Sequence, residues 1–177
     1  LISTIDVYPT PVSVDEDTPV DFANNHAYGR HRWLVEDFVR ERFATHHVIR
    51  LPGLFGPGLK KNVIFDLLHD NCLDAIQPES SFQYYDLARL GGDVEKVIAA
   101  GLPLVNFATE PVKTSLILER CAPDKLVGQN AGPAGHYDFH TKHAPLWGQP
   151  GPYLYDRATA PAAIAAYMTA ERVRISA

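Results

Sequence analysis

This sequence predicts an α/β fold built on a parallel sheet. Two observations carry that reading. Short apolar runs rich in β-branched residues, at residues 1–8, 47–54 and 102–107, alternate with longer stretches whose apolar residues recur at helical spacing. Helical segments between strands are the crossovers that parallel pairing requires.

The elements follow in order. Residues 1–8 read as a buried strand, with Ile2, Ile5 and Val7 β-branched, and Pro9 and Pro11 end it. The acidic stretch Asp15-Glu-Asp17, closing at Pro19, reads as a solvated loop over the mouth of a site. A long helix is expected from an N-cap at Asn24 or Asn25 to Phe43. On its wheel Tyr28, Arg32, Val35, Val39 and Phe43 share one face, whereas Trp33, Asp37 and Arg40 point the other way. An indole on the charged side reads as a second contact surface. A strand over 47–54 runs into the Gly56-Pro57-Gly58 turn, and a short helix follows over Val63–His69. Residues 80–87 read as a short strand, 94–100 as a helix stopped by Gly101, and 102–107 as a strand. Thr114–Cys121 reads as a helix and 122–152 as irregular, rich in Gly, Pro and His. Residues 158–174 read as an alanine-rich closing helix, where Pro161 is tolerable only in the first turn.

With 177 residues, 46% of them apolar, the chain can bury one substantial core. A formal charge of −5 and no dense basic cluster argue against nucleic acid. No run reaches the length of a membrane span, so a cytoplasmic protein is expected. Cys72 and Cys121 lie far apart without metal-ligand spacing and read as buried free thiols. His136, His140 and His143 would face together on a helix, but Gly132, Pro133, Gly135 and Pro145 disfavour one. Packing, not metal binding, is the expectation there.

The chemistry-bearing residues gather at the start. Thr4, with Ser3 beside it, puts a hydroxyl at a strand end, and Tyr28 puts a phenol at the first turn of the next helix. Two such groups can meet over one substrate oxygen, the phenol passing a proton while the smaller hydroxyl holds the oxygen. Arg32, one turn after Tyr28, sets a permanent cation on the same face and favours the phenolate, although it can equally pair with Glu36.

Ser3-Thr-Ile-Asp-Val-Tyr8, Tyr28-Gly-Arg-His-Arg32 and Val48-Ile-Arg-Leu-Pro-Gly-Leu-Phe-Gly-Pro-Gly58 resemble three successive landmarks of the extended short-chain dehydrogenase/reductases. These are the NAD-dependent epimerases and dehydratases of nucleotide sugars. Their pattern is S-[ST]-x-x-V-Y at a strand end, a Y-x-x-x-K helix, then R-x-x-x-x-[FY]-G-P. Phe82-Gln-Tyr-Tyr-Asp-Leu-Ala88 and Leu104-Val-Asn-Phe-Ala-Thr-Glu-Pro111 are similar to two later segments of that family. The resemblance covers roughly residues 1–120. It implies the C-terminal half of a Rossmann-like, doubly wound parallel sheet over residues 1–121, with a short substrate lobe. Residues 122–177 then form an α-rich appendage of irregular chain and closing helix.

The same resemblance implies site residues. Tyr28 is the general acid/base, Thr4 (with Ser3 as the alternative) orients the substrate hydroxyl, and Arg32 stands where the family has lysine. Tyr28, Arg32 and the Pro52-Gly53-Leu54 backbone would wall the nicotinamide of NAD or NADP. Thr4, Lys60 and Asn62 would meet a nucleotide-sugar substrate. A homodimer through the helix carrying Tyr28 and Trp33 is implied as well. The chain departs from the pattern at Gly53, where the family commonly has asparagine, and it holds no G-x-x-G-x-x-G phosphate loop. It also begins at Leu1, inside the first strand, so the expectation is a C-terminal portion of a longer enzyme that by itself cannot bind cofactor. A non-catalytic assembly module derived from that fold is the alternative.

Overall fold

Residues 1–176 are described by a computed structural model. In chain order the elements are β1 (Ile2–Thr4), α1 (Ala27–Arg42), β2 (Val48–Leu51), β3 (Gly53–Phe55), α2 (Val63–His69), β4 (Ser81–Phe82), β5 (Tyr84–Asp86), α3 (Leu90–Ala99), β6 (Leu104–Asn106), β7 (Val112–Lys113), α4 (Thr114–Cys121) and α5 (Ala160–Ser176). The main sheet is wholly parallel, in the order β1-β2-β6, with Ile2 opposite Ile49 and Ile49 opposite Val105. A parallel pair β3-β5 and an antiparallel pair β4-β7 extend from it. The fold is thus mixed α/β with parallel strands, a partial Rossmann-like arrangement.

Strand alternation sorts side chains between two layers. Ile49, Leu51 and Val105 face α3 and bury with its Val97. Ser3 and Arg50 face α1 and meet Glu36. A second core gathers Phe55, Tyr84, Ile64, Leu67, Ile117, Ile164 and Met168, so α2, α4 and α5 close around the β3-β5 pair. Pro161 does fall in the first turn of α5.

Helix α1 differs most from its expectation. Its buried residues are Gly29 and Glu36, while Tyr28, Leu34, Val35, Phe38 and Phe43 are exposed. The apolar wheel therefore pointed to the wrong face. What turns the helix is a charge pair. Glu36, 0% exposed, accepts from Arg50 Nε (3.1 Å) and Nη2 (2.7 Å), from Ser3 Oγ (2.5 Å) and from Arg40 Nη2 (2.6 Å). Arg50 also donates to the hydroxyl of buried Tyr8 (2.6 Å), and burial raises that phenol's pKa against the opposing pull of the guanidinium. Trp33 is half-buried beside Ile5, Val7, Tyr8 and Phe139, with Arg40 4.4 Å from its ring centre. It packs inward against that cluster.

Other boundaries shift for local reasons. The strand expected over 1–8 ends at Thr4, whose hydroxyl caps a 3₁₀ turn over Ile5–Val7 by accepting from Asp6 N–H (3.2 Å). The strand expected over 80–87 breaks at Gln83. Its amide donates to the Thr109 and Phe139 carbonyls (2.6 and 2.8 Å) and its oxygen accepts from Phe139 N–H (2.9 Å). The strand over 47–54 breaks at Pro52 into β2 and β3. Cys121 is buried, but Cys72 is exposed.

The irregular segment is held by carboxylates. Asp93 of α3 accepts from Tyr85 Oη (2.7 Å), Trp147 Nε1 (2.8 Å) and Tyr155 Oη (2.8 Å). Burial, with that bond to Asp93, pushes the Tyr155 phenol up to about 12. The acidic stretch is a clasp and not a free loop. Glu16 accepts from Asn106 N–H (2.7 Å), Thr141 Oγ1 (2.5 Å) and Lys142 N–H (3.0 Å).

Removing Arg50 leaves the buried Glu36 carboxylate with Ser3 and with Arg40 at the helix rim (24% side-chain exposure), and without its forked partner. Arg50→Met is expected to cost about 3–5 kcal/mol, most of it recovered when Glu36→Met is added. Urea denaturation measures both, and a double variant no more stable than the single one refutes the pair's role.

Candidate active site at the end of β1

The turn after β1 and the first turn of α1 are built against each other. Gly29 lies so close to the turn that a Cβ there would overlap the Asp6 carbonyl oxygen. Buried Asn25 donates its amide to the Asp6 and Val7 carbonyls (3.0 and 2.7 Å). It is thus a tether between the two turns, not the N-cap. The N-cap is His26, whose Nδ1 accepts from Gly29 N–H (3.1 Å). Asn24 is bound instead to Asp21 (2.7 Å).

Thr4 is buried and its Oγ1 stands 3.0 Å from Asp6 Oδ2, to which it donates. The carboxylate therefore fixes where the Thr4 proton points. Tyr137 Oη also reaches Asp6, at 3.3 Å, and burial with that anion pushes its phenol up to about 12. Tyr28 is 48% exposed, parallel to His26 with ring centres 6.3 Å apart, and Lys61 Nζ lies 5.6 Å from its ring centre. The loop before α2 thus meets the start of α1.

The remaining residues divide. Ser3 turns to the other side of β1 and donates to Glu36 (2.5 Å). Arg32 is not paired with Glu36. Its guanidinium donates to the Ile2 carbonyl. Leu1 makes both of its backbone bonds to the β2 side, so the Ile2 carbonyl points to the outer edge of β1. Pro52 is buried and Gly53 packs against the Gln83 carbonyl and the Tyr84 ring. The Leu54 carbonyl accepts from Asn62 Nδ2 (2.8 Å), and Asn62 Oδ1 caps α2 through Ile64 N–H (3.0 Å). Lys60 is exposed in that loop.

Sequence reasoning passed over Asp6, His26 and Lys61. Asp6 had a signal, the T-x-D spacing of a capping turn, and Lys61 stands next to Lys60. His26 had none, because histidine is not a favoured cap. Among the described residues no group of three or more His, Cys, Asp or Glu could hold a metal. His140 stands 3.5 Å from Asp138, in extended chain and not on a helix. A groove of about 540 Å³ opens elsewhere, between β7, α4 and Arg157, and neither Thr4 nor Tyr28 lines it.

No protein-family model and no curated protein matches the chain in sequence. Solved structures do match its shape. A dTDP-glucose 4,6-dehydratase from Bacillus anthracis, in complex with NAD, superposes at a TM-score of 0.69 and 14% identity, over 95% of this chain and 59% of that one. A UDP-glucose 4-epimerase from Thermotoga maritima, with UDP-glucose, gives 0.63 and 15%, over 98% and 63%. The chain has the fold of the extended short-chain dehydrogenase/reductases. An L-threonine 3-dehydrogenase from Trypanosoma brucei also shares this extended-dehydrogenase fold, at 0.57 and 13%, over 98% and 60%. The chain spans about 60% of the length of each of these. No helix among the described residues is long and apolar enough to cross a membrane.

Dinucleotide fit is partial. The N-termini of α1 and α2 are closed by the chain's own side chains, His26 and Asn62, whereas α3, which follows the parallel strand β5, has no side-chain cap.

Gly29→Ala tests the seam between the two turns. Alanine normally favours a helix interior, yet here it is expected to destabilise by about 1–3 kcal/mol through the overlap with Asp6. Thermal unfolding reads the sign, and a stabilised variant removes the contact.

Proposed function

We propose that this chain is the proton-transfer side of an NAD(P)-dependent enzyme acting on a nucleotide sugar, of the epimerase, dehydratase or keto-reductase kind. Tyr28 serves as general acid/base at a sugar hydroxyl or keto group, and Thr4, its own proton held by Asp6, keeps a lone pair that accepts from a substrate hydroxyl. What supports this reading is the seam itself: Gly29 against Asp6 sets the phenol-bearing turn against the turn that Thr4 caps. Lys60, Lys61 and Asn62 lie in the loop that reaches Tyr28, where an anionic substrate would approach. Arg32, donating to β1, keeps a fixed cation one helical turn from the phenol. The names of two matching structures, a dTDP-glucose dehydratase and a UDP-glucose epimerase, favour the nucleotide-sugar class.

The cofactor would be held by a longer parent, with Tyr28, Arg32 and the 52–54 backbone on the nicotinamide side. The 177 residues alone bind no dinucleotide in this reading. In the parent, Tyr28→Phe is expected to lower turnover of a nucleotide sugar at least 100-fold while leaving the NADH fluorescence titration unchanged. Turnover that survives the change refutes the role of the phenol, and saturable NADH binding by the 177-residue chain refutes the division of labour.

The second reading, an assembly module, draws on a specific surface. Leu34 (50% exposed), Val35 (42%) and Phe38 (60%) form an apolar strip on α1, in place of the face through Trp33. A homodimer through that strip is compatible with catalysis. Phe38→Glu is expected to shift sedimentation from dimer to monomer, whereas Trp33→Glu lowers stability instead; a dimer that survives Phe38→Glu excludes this interface.

A further inference from the structure

The first turn of α1 is capped by a side chain that can stop being an acceptor. His26 Nδ1 takes the Gly29 N–H at 3.1 Å, which requires that nitrogen to carry no proton. Serine, threonine, aspartate or asparagine caps do not lose this role when an imidazole would titrate. The His26 ring lies parallel to that of Tyr28, and His26 is exposed to solvent.

We propose that His26 is a positioning residue for Tyr28, and that its protonation uncaps the turn that presents the phenol. The inference rests on the role given to Tyr28 above for its consequence, though not for its geometry. Protonated, the imidazole offers Gly29 a donor in place of an acceptor, leaving that N–H unpaired at the positive end of a 16-residue helix. The new charge also stands beside that end, which disfavours it further. Gly29 is the residue seated on Asp6, so loosening its amide loosens the seam between Tyr28 and the Thr4 turn. A proton on Nδ1 and the Gly29 N–H bond exclude each other, so acid opposes the cap.

Lys61, from the loop before α2, lies over the neighbouring Tyr28 ring. Asp6, from the turn after β1, lies beneath Gly29. Asp21, in the preceding loop, is bound to Asn24. On the helix that His26 caps, Tyr28 lies parallel to it and Arg30 stands one turn on, while Asn25 Oδ1 accepts from the His26 N–H (2.8 Å).

Amide hydrogen exchange and tyrosine-ring NMR on the full chain between pH 5 and 8 test this without any substrate. After correction for intrinsic exchange, the Gly29 amide is expected to lose about fivefold in protection from pH 8 to pH 5, the loss of a typical cap. The Tyr28 ring resonances should move with the same midpoint. In His26→Asn, which caps at every pH, both profiles should be flat and Gly29 protected throughout. Equal pH profiles in the two proteins overturn the proposal, and so does a Gly29 response that Tyr28 does not follow. Loss of activity on Tyr28→Phe is a separate question, so failure of the catalytic reading leaves the cap result legible by itself.

Discussion

Glu36 has none of its surface in water, and the fold surrounds its buried carboxylate with donors. Arg50 brings a guanidinium from β2, Ser3 a hydroxyl from β1, and Arg40 a second cation from the next helical turn. Three elements therefore share one anion. Because guanidinium geometry is planar and forked, the pair fixes α1 in rotation as well as in place. A helix held by apolar contacts alone could roll. This one cannot roll without separating buried charges, and its rotation decides which residue meets the Asp6 carbonyl. Only glycine fits there, and the phenol follows one position before it.

That dependence explains what the sequence disclosed and what it did not. Alternation of β-branched runs with helical stretches was enough to read α/β, parallel pairing and most element positions. Thr114–Cys121 and Val63–His69 were legible to the residue because each combines an apolar stripe with clear flanks. The rotation of α1 was not legible. Its apolar residues form a real stripe, and the stripe is exposed, because the core-facing positions are filled by glycine, a carboxylate and an indole. Nothing local announces that a glutamate on this helix will be buried when its partner lies 14 residues away on β2. The division of residues 80–87 was hidden for a related reason: Gln83 satisfies backbone groups from two distant segments, a role that propensity does not encode.

At the site, legibility ran out at the neighbours. Residue types at fixed spacing picked out Thr4 and Tyr28. The groups beside them are a turn residue two positions after Thr4 (Asp6), a cap two positions before Tyr28 (His26) and a lysine from a separate loop (Lys61), the last brought in by tertiary contact. The acidic stretch shows the same limit. Read as solvated, it instead spends one carboxylate on three donors from β6 and the 141–142 segment, clasping the C-terminal chain across the end of the sheet. A polar composition signals surface, yet it says nothing about which backbone the charge will find.

Arg32 gives the outer border of the main sheet a particular character. A strand border usually invites pairing through its bare carbonyls and amides, and proteins discourage that with charge or obstruction. Here a positively charged side chain already occupies the Ile2 acceptor, so an incoming peptide would have to evict it before hydrogen-bonding could begin. The chain thus carries its own guard against fibrillar self-addition, one that any natural partner strand must also negotiate.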